Sequence, residues 1–484
     1  MGLSSSIGSP RAASVLARAS SSLVNRRLQN VNWSLPWGTC PPSRNTRKGS
    51  RVPPASSRRP GSAALIDRVL REAEAARDEV VAFTADLIRI PTVNPPGDFY
   101  RDCAELIHGR LREAGMAVQY VAAEGRPEHT PSHPRINVIG RNGDAGARPR
   151  LHLNGHFDVV PPGDDWTVDP FGGLVRDGRI HGRGASDMKS GIAAAVFAAE
   201  ALRRADIPLH GGLDVSATVD EESGGFAGVA HLCQTGLISA ENTDFAIIPE
   251  PFGPTRVCVG HRGVYWFDIV AHGHTAHGSM SHLGHSAIDD MGALLEALRT
   301  ELGPDLAARL SGLPVVPEPS RRPSLNVNAL IGGQAGEANQ SPCVADRCTA
   351  TCDRRFIPEE PFDEVRDEIV GLVRAVEAAE PGRRFTIEDR MTVHPTWAPR
   401  GSPLVTALSR AVRTVTGADA EEVASPGTYD QKHFARIAGV EHCVAYGPGP
   451  LEEAHQPDES CAVDDIVAST QVIALAALDL VGPP

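Results

Sequence analysis

The nine cysteines form no C-x-x-C pair: they are scattered as Cys40, Cys103, Cys233, Cys258, Cys343, Cys348, Cys352, Cys443 and Cys461. Cys343, Cys348 and Cys352 lie close together, but no second pair or histidine cluster completes a zinc-ribbon spacing. They therefore read as strand and loop residues of a reduced, cytoplasmic protein. No apolar run is long enough to span a bilayer, and the N-terminal stretch has no hydrophobic segment of the secretory type. Aromatic residues make up only 5%, against 47 glycines and 39 prolines, which favours a loop-rich α/β chain over a helical bundle. Acids are missing from the first sixty residues, where ten Arg or Lys occur before the first acid, Asp67. That Arg- and Ser-rich stretch resembles an organelle transit peptide in composition, but a disordered extension or a misplaced start is the plainer reading. Residues 1–62 are left out of the fold on that basis. The rest carries 37 basic against 60 acidic residues, an acidic body that argues against nucleic acid or an anionic membrane as partner.

A chain of 484 residues exceeds one typical core, so two domains are expected. Apolar residues at helical spacing predict a helix from Ala64 to Arg89 and another from Ala104 to Gly115. Short apolar strands follow at Ile136–Gly140, Pro149–Leu153, Leu213–Thr218 and Asp244–Ile248, with an Ala-rich helix at Gly191–Arg203. Strands thus alternate with helices. From about Gly260 the order becomes strand Val264–Val270, helix Ser286–Glu301, strands Leu325–Ile331 and Asp346–Arg354, helix Pro361–Ala379 and strand Phe385–Asp389. This β-α-β-β-α-β order is the ferredoxin-like pattern. A helix at Ser402–Gly417 then resumes the first unit. The expected division is an α/β catalytic domain of residues 63–258 and 396–484, with a mixed sheet flanked by helices, interrupted by a small domain at 259–395.

Five acidic or histidine residues stand out, and three of these groups lie just past predicted strand ends or in the adjoining loops, where open α/β sheets place their sites. They are His156 in G-H-F-D-V-V-P, Asp187 in G-R-G-A-S-D-M-K, Glu222 in D-E-E-S-G, Glu250 in I-P-E-P and His455 in E-E-A-H-Q-P. Imidazole and carboxylate are donors that zinc-like divalent ions accept without any thiolate. Asp158, two residues after His156, can anchor the ring from outside the ligand shell. Asp187 follows the loop Gly182-Arg183-Gly184 and could also cap the next helix. Adjacent Glu221 and Glu222 point different ways, so one can bind metal while the other takes a proton from water; a solvated acidic turn is the plainer alternative.

Taken together, these segments resemble the dinuclear zinc amidohydrolases and peptidases that include acetylornithine deacetylase, succinyl-diaminopimelate desuccinylase, aminoacylase and carboxypeptidase G. The resemblance runs from about Phe83 to Leu480 and extends beyond the ligands, to Asp169-Pro170-Phe171, Gly273 through His277 and Gly447-Pro448-Gly449. It implies a zinc-peptidase-like catalytic domain with a ferredoxin-like lid and dimerisation domain. It implies that His156 and Glu250 hold one ion, Glu222 and His455 the other, and that Asp187 bridges them. The ions are expected to be zinc, with cobalt or manganese as alternatives. Glu221 would be general base and then acid, and Asp158 would orient His156. His277 would reach the partner subunit's site in a homodimer assembled through residues 259–395. Asn339 and Arg355 look like lid positions that grip a substrate carboxylate.

The chain departs from that wording at Thr428-Tyr429-Asp430-Gln431-Lys432, where desuccinylases resemble G-T-S-D-G-R. Lysine cannot reproduce the bidentate fork of arginine. If this segment lines the pocket, a succinylated substrate is less favoured; Tyr429 could pack against an aromatic substrate or simply fill a gap behind the pocket. Ser286 also stands where the family wording has Asn. The leading expectation is a metal-dependent N-deacylase of acylated amino acids or related small amides. The alternatives are a dipeptidase, an amidohydrolase of aromatic or heterocyclic amides, and a non-catalytic metal- and ligand-binding relative.

Overall fold

The computed structural model describes residues 62–144, 146–333 and 342–483. Asn339 and the basic N-terminal stretch lie outside the described residues.

A nine-stranded mixed sheet forms the larger unit. Its order is Ala117–Ala122, Ile136–Asn142, Gly212–Thr218, Arg150–His156, Phe245–Pro251, Cys443–Gly447, Arg256–His261 and Thr396–Trp397, with Glu421–Ser425 also paired to Arg256–His261. Arg150–His156 pairs in parallel with both Gly212–Thr218 and Phe245–Pro251. All three of these strands are buried along their whole length. Residues 245–248 form an apolar run, whereas Arg150–His156 and Gly212–Thr218 alternate apolar with polar residues whose side chains are buried and paired across the sheet, Arg150 with Asp214 at 2.6 Å and His152 with Ser216 at 2.7 Å. The helix Lys189–Arg204 is buried for most of its length and packs on this sheet together with Val463–Val481.

One close approach fixes that helix. A Cβ at Gly191 would stand 2.0 Å from the Pro249 carbonyl oxygen. Only glycine lets the helix start lie directly on the end of Phe245–Pro251, and that contact brings the Asp187 loop beside Glu250.

Two expectations need correction. The single helix predicted over Ala64–Arg89 is two helices, Ser62–Ala75 and Arg77–Arg89, broken at Ala76. Alanine favours helix intrinsically, so the break is tertiary: Ala73, Ala76 and Val80 are all buried in one core. Similarly, Ser286–Glu301 is the helix Ala287–Ala297 followed by a wide turn at Leu298–Leu302.

A separate antiparallel sheet has the order Ser324–Gly333, Arg347–Phe356, Gly263–His272 and Phe385–Val393. Helices Ala287–Ala297 and Phe362–Ala379 supply Met291, Leu294, Ile369 and Val373 to a core that includes Phe267, Ile269 and Phe356. Arg347–Phe356 alternates strictly between buried and half-exposed positions, and Cys348 and Cys352 fall on its buried side. Their spacing is thus the period of a strand, not of a metal site. The eight described cysteines are all free. Ser286 accepts a hydrogen bond from the Asp289 N–H at 3.2 Å and caps the helix Ala287–Ala297. Asn caps helices about as well, so this departure from the family wording is conservative. No helix among the described residues is long and apolar enough to cross a membrane.

Replacing Gly191 with alanine forces the helix off Pro249 and should cost about 3 kcal/mol of stability, the upper part of the range for overpacking. Gly109 has nothing within 4 Å of a would-be Cβ in the helix Tyr100–Glu113, so Gly109→Ala should leave stability unchanged or raise it by about 1 kcal/mol. Thermal unfolding of both variants checks this; equal midpoints would contradict the packing argument.

Candidate active site

The five predicted ligands come from five separate segments and meet at one end of the large sheet. His156 closes Arg150–His156 and Glu250 lies at the end of Phe245–Pro251. Glu221 and Glu222 begin the short turn that follows Gly212–Thr218. Asp187 lies on the loop before Lys189–Arg204, and His455 on the loop before Ser460–Ala462.

Asp187 stands at the centre. One of its oxygens lies 3.1 Å from His156 Nε2 and the other 3.4 Å from His455 Nε2. Beyond them, Glu250 lies 3.9 Å from His156 Nε2, and Glu222 lies 3.1 Å from His455 Nε2. Ligating atoms of His156, Asp187 and Glu222 fall within 4.8 Å of one another. The alternative of a helix cap is not realised: Met188 occupies the cap position and no side chain bonds there.

The electrostatics are those of a cation site. Burial pushes the Glu222 carboxyl up to about 7, against the pull of its hydrogen bond with His455. Burial, and then the Asp187 charge, raises Glu250 well above the carboxylate range. Hydrogen bonds to Asp187 and then Glu222 push His455 up to about 10. Three carboxylates crowded between two imidazoles repel one another, and divalent cations relieve that repulsion. The donor set therefore suits divalent metal, with Asp187 between the two imidazoles.

The Asp158 carboxylate makes its closest contacts away from His156. His156 Nδ1 meets the Asp158 backbone carbonyl at 3.1 Å, whereas the carboxylate is 3.6 Å away. That carboxylate instead accepts the backbone N–H of Glu221 and of Glu222, each at 3.1 Å, and the Asn94 amide at 2.9 Å. It fixes the turn that presents both glutamates.

Glu459 escaped the sequence reading. One of its oxygens accepts the N–H groups of Gly184 at 3.1 Å, Ser186 at 2.8 Å and Asp187 at 3.0 Å. The other takes a 2.6 Å bond from Arg183, whose side chain is buried with it. This carboxylate shapes the loop that aims Asp187. Its only signal in the sequence is its place four residues after His455 in a polar run.

A cleft of about 1010 Å³ opens in front of the ligands, lined by Asp187, Glu221, Glu222, Glu250 and His455 and, from the smaller sheet, by Trp266 and Arg355. Thr428 and Tyr429 line it too. Tyr429 is only 4% exposed, and its hydroxyl donates to the Cys258 carbonyl at 3.4 Å, so its ring forms part of the floor. Arg355 is held by Asp353 through bonds of 2.8 to 3.1 Å. His277 does not reach this cleft. It is exposed on a loop of the smaller unit, its Nδ1 accepting the Ser279 N–H at 3.2 Å.

Known proteins match this chain along most of its length. The family model for the peptidase family M20/M25/M40 matches residues 152–479. A succinyl-diaminopimelate desuccinylase of Xanthobacter autotrophicus is 31% identical over 401 residues, covering 81% of this chain and 96% of the relative. An N-formyl-4-amino-5-aminomethyl-2-methylpyrimidine deformylase of Bacillus subtilis is 28% identical over 437 residues, covering 83% and 95%. The crystal structure of human carnosine dipeptidase 1 shares the fold, with a TM-score of 0.68 at 20% identity over 86% of this chain and 98% of that one. The chain belongs to the peptidase family M20/M25/M40 and is a metal-dependent hydrolase of amide bonds.

Proposed function

We propose that this protein removes the acyl group from N-acylated amino acids or closely related small amides, using two divalent metal ions per subunit. The observation that carries the reading is the division of labour between adjacent glutamates. Glu222 lies 3.1 Å from His455 in the candidate ligand cluster, whereas Glu221 pairs with Lys432 at 3.1 Å.

In this reading His156 and Glu250 would hold one ion and Glu222 and His455 the other, with Asp187 contributing to both. Zinc suits the donors best, with cobalt and manganese acceptable. Such ions supply Lewis acidity, which makes water a better nucleophile at neutral pH and polarises a carbonyl. Glu221 takes the proton of the attacking water and hands it to the departing nitrogen. Asp158 keeps Glu221 in place through the backbone of its turn. Arg355 leaves Asp353 to grip the substrate carboxylate, assisted by Asn339, while Thr428 and Tyr429 shape the floor.

His277 completes the site across a dimer, donating to the carbonyl oxygen as negative charge develops on it. The smaller unit, residues 259–395, serves as lid and dimerisation domain. Support comes from the strand Ser324–Gly333, which lies at the edge of its sheet and leaves Leu330 and Ile331 52% and 72% exposed. An exposed apolar edge strand is an adhesive surface that soluble proteins cover. The free thiols fit a reducing compartment, and we assign the protein to the cytoplasm.

A second reading, hydrolysis of an aromatic or heterocyclic amide, is favoured by the cleft wall. Phe226, Phe252, Trp266, Phe362 and Tyr429 all line it, and flat rings stack well on such a surface. The deformylase relative acts, by its name, on a formylated pyrimidine.

Amine release from a panel of N-acetyl, N-formyl and N-succinyl amino acids, dipeptides and aromatic amides separates these readings. Glu221→Gln should retain both metals and lose roughly 10³-fold in kcat, within the range for a lost general base. Near-normal turnover would remove Glu221 from its role. His277→Ala should be inactive alone, yet regain activity when mixed and re-dimerised with Glu221→Gln, because the hybrid contains one intact site. Failure of the mixture, with dimer exchange verified, would keep His277 out of the partner's site.

A further inference from the structure

Glu221 and Glu222 are neighbours in a turn surrounded by carboxylates, and nothing in their order dictates that Glu221 should stay out of the ion cluster. Among the described residues the hydrogen-bond partner of the Glu221 carboxylate is Lys432, whose Nζ donates to Oε1 at 3.1 Å. Both side chains are almost buried, at 7% exposure for Lys432 and 12% for Glu221. A buried lysine needs such a partner.

Lys432 is held on a rigid support. Preceding it, Gln431 donates to the Cys443 carbonyl at 2.6 Å and the Val259 carbonyl at 3.3 Å. Asp430 accepts from the Asn154 amide at 3.1 Å. On the other side, His433 Nε2 meets the Gly224 carbonyl at 2.8 Å. Gly225 is pressed so closely on this segment that a Cβ would lie 2.7 Å from Asp430 Oδ1. The segment 430–433 is thereby tied to the same turn that carries Glu221 and Glu222.

We propose that Lys432 is a positioning residue that keeps the Glu221 carboxylate out of the metal-ligand shell and so preserves it as a proton carrier. An ammonium is a compact point charge. It engages one oxygen of Glu221 and leaves the other for the water whose proton is to be taken. Without that charge, the Glu221 carboxylate faces the cations of the loaded site with no competing partner, and collapses onto them as a further ligand. This rests on Glu221 being the base of the reaction proposed above.

Two readouts test it on the full-length, metal-loaded protein. In kinetics, Lys432→Met should lower kcat about 100-fold, a typical loss for general-base chemistry, with KM within about threefold and metal content unchanged. Lys432→Arg keeps the charge and should stay within about fivefold of wild type. In the Glu221→Gln background Lys432→Met should change little, since coupled residues do not add. A rise in KM with kcat preserved, or an equal loss in both backgrounds, would overturn the proposal.

The second readout needs no substrate. The visible absorption of the cobalt(II)-loaded protein reports coordination number, weakening as ligands are added. Lys432→Met should weaken the bands, and adding Glu221→Gln should restore them. Identical spectra for wild type and Lys432→Met would overturn the proposal even if no panel substrate is turned over. Failure of the base assignment itself would show separately, as normal turnover by Glu221→Gln.

Discussion

Asp187 held between two imidazoles is the constraint on which the rest of the site depends. Its two oxygens face His156 and His455, and those residues lie 299 positions apart in the chain. Burial works to raise this carboxyl, yet the bonds from His156 and His455 hold it well below the usual range. An anion so stabilised is suited to sit between cations. Placing it there requires the Arg183–Asp187 loop to be rigid, the helix behind it to touch the neighbouring strand, and the C-terminal loop to return over the sheet. Glu459 supplies the first through three backbone N–H groups, and Gly191 the second. The third follows from Arg183 and Glu459, whose ion pair joins the two loops.

Around this centre the chain assigns different tasks to chemically identical groups by changing their partners. Glu222 faces His455, Glu221 faces Lys432, and Asp158 faces backbone N–H groups and an amide. Asp220, one residue earlier, points elsewhere and binds Tyr100 and Arg135, each at 2.8 Å. Three consecutive acids thus face three different sets of partners: Tyr100 and Arg135, Lys432, and His455. A left-handed backbone at Asp220, with φ of 62°, begins the turn that separates them.

Much of this was legible in the sequence because its signals are local. Strands such as Phe245–Pro251 carry apolar runs, and His156, Glu222 and Glu250 lie at or next to strand ends. What was not legible depends on contacts between distant segments. Glu459 resembles any acid in a polar loop until its three N–H partners are seen. Tyr429 reads as a pocket residue, and it lines the cleft; what the sequence does not show is that its hydroxyl is tied beneath it to Cys258. The break at Ala76 carries no sequence mark, since it answers to packing alone. Lys432 could be read only as a departure from arginine; its carboxylate partner lies 211 residues away.

The most direct measurement is a crystal structure of the protein loaded with zinc, with the ions located by anomalous scattering at the zinc edge. Two ions per subunit are expected. They should be bridged by Asp187, with His156 and Glu250 on one, Glu222 and His455 on the other, and Glu221 on neither. A single ion, or Glu221 among the ligands of the wild-type protein, would contradict it.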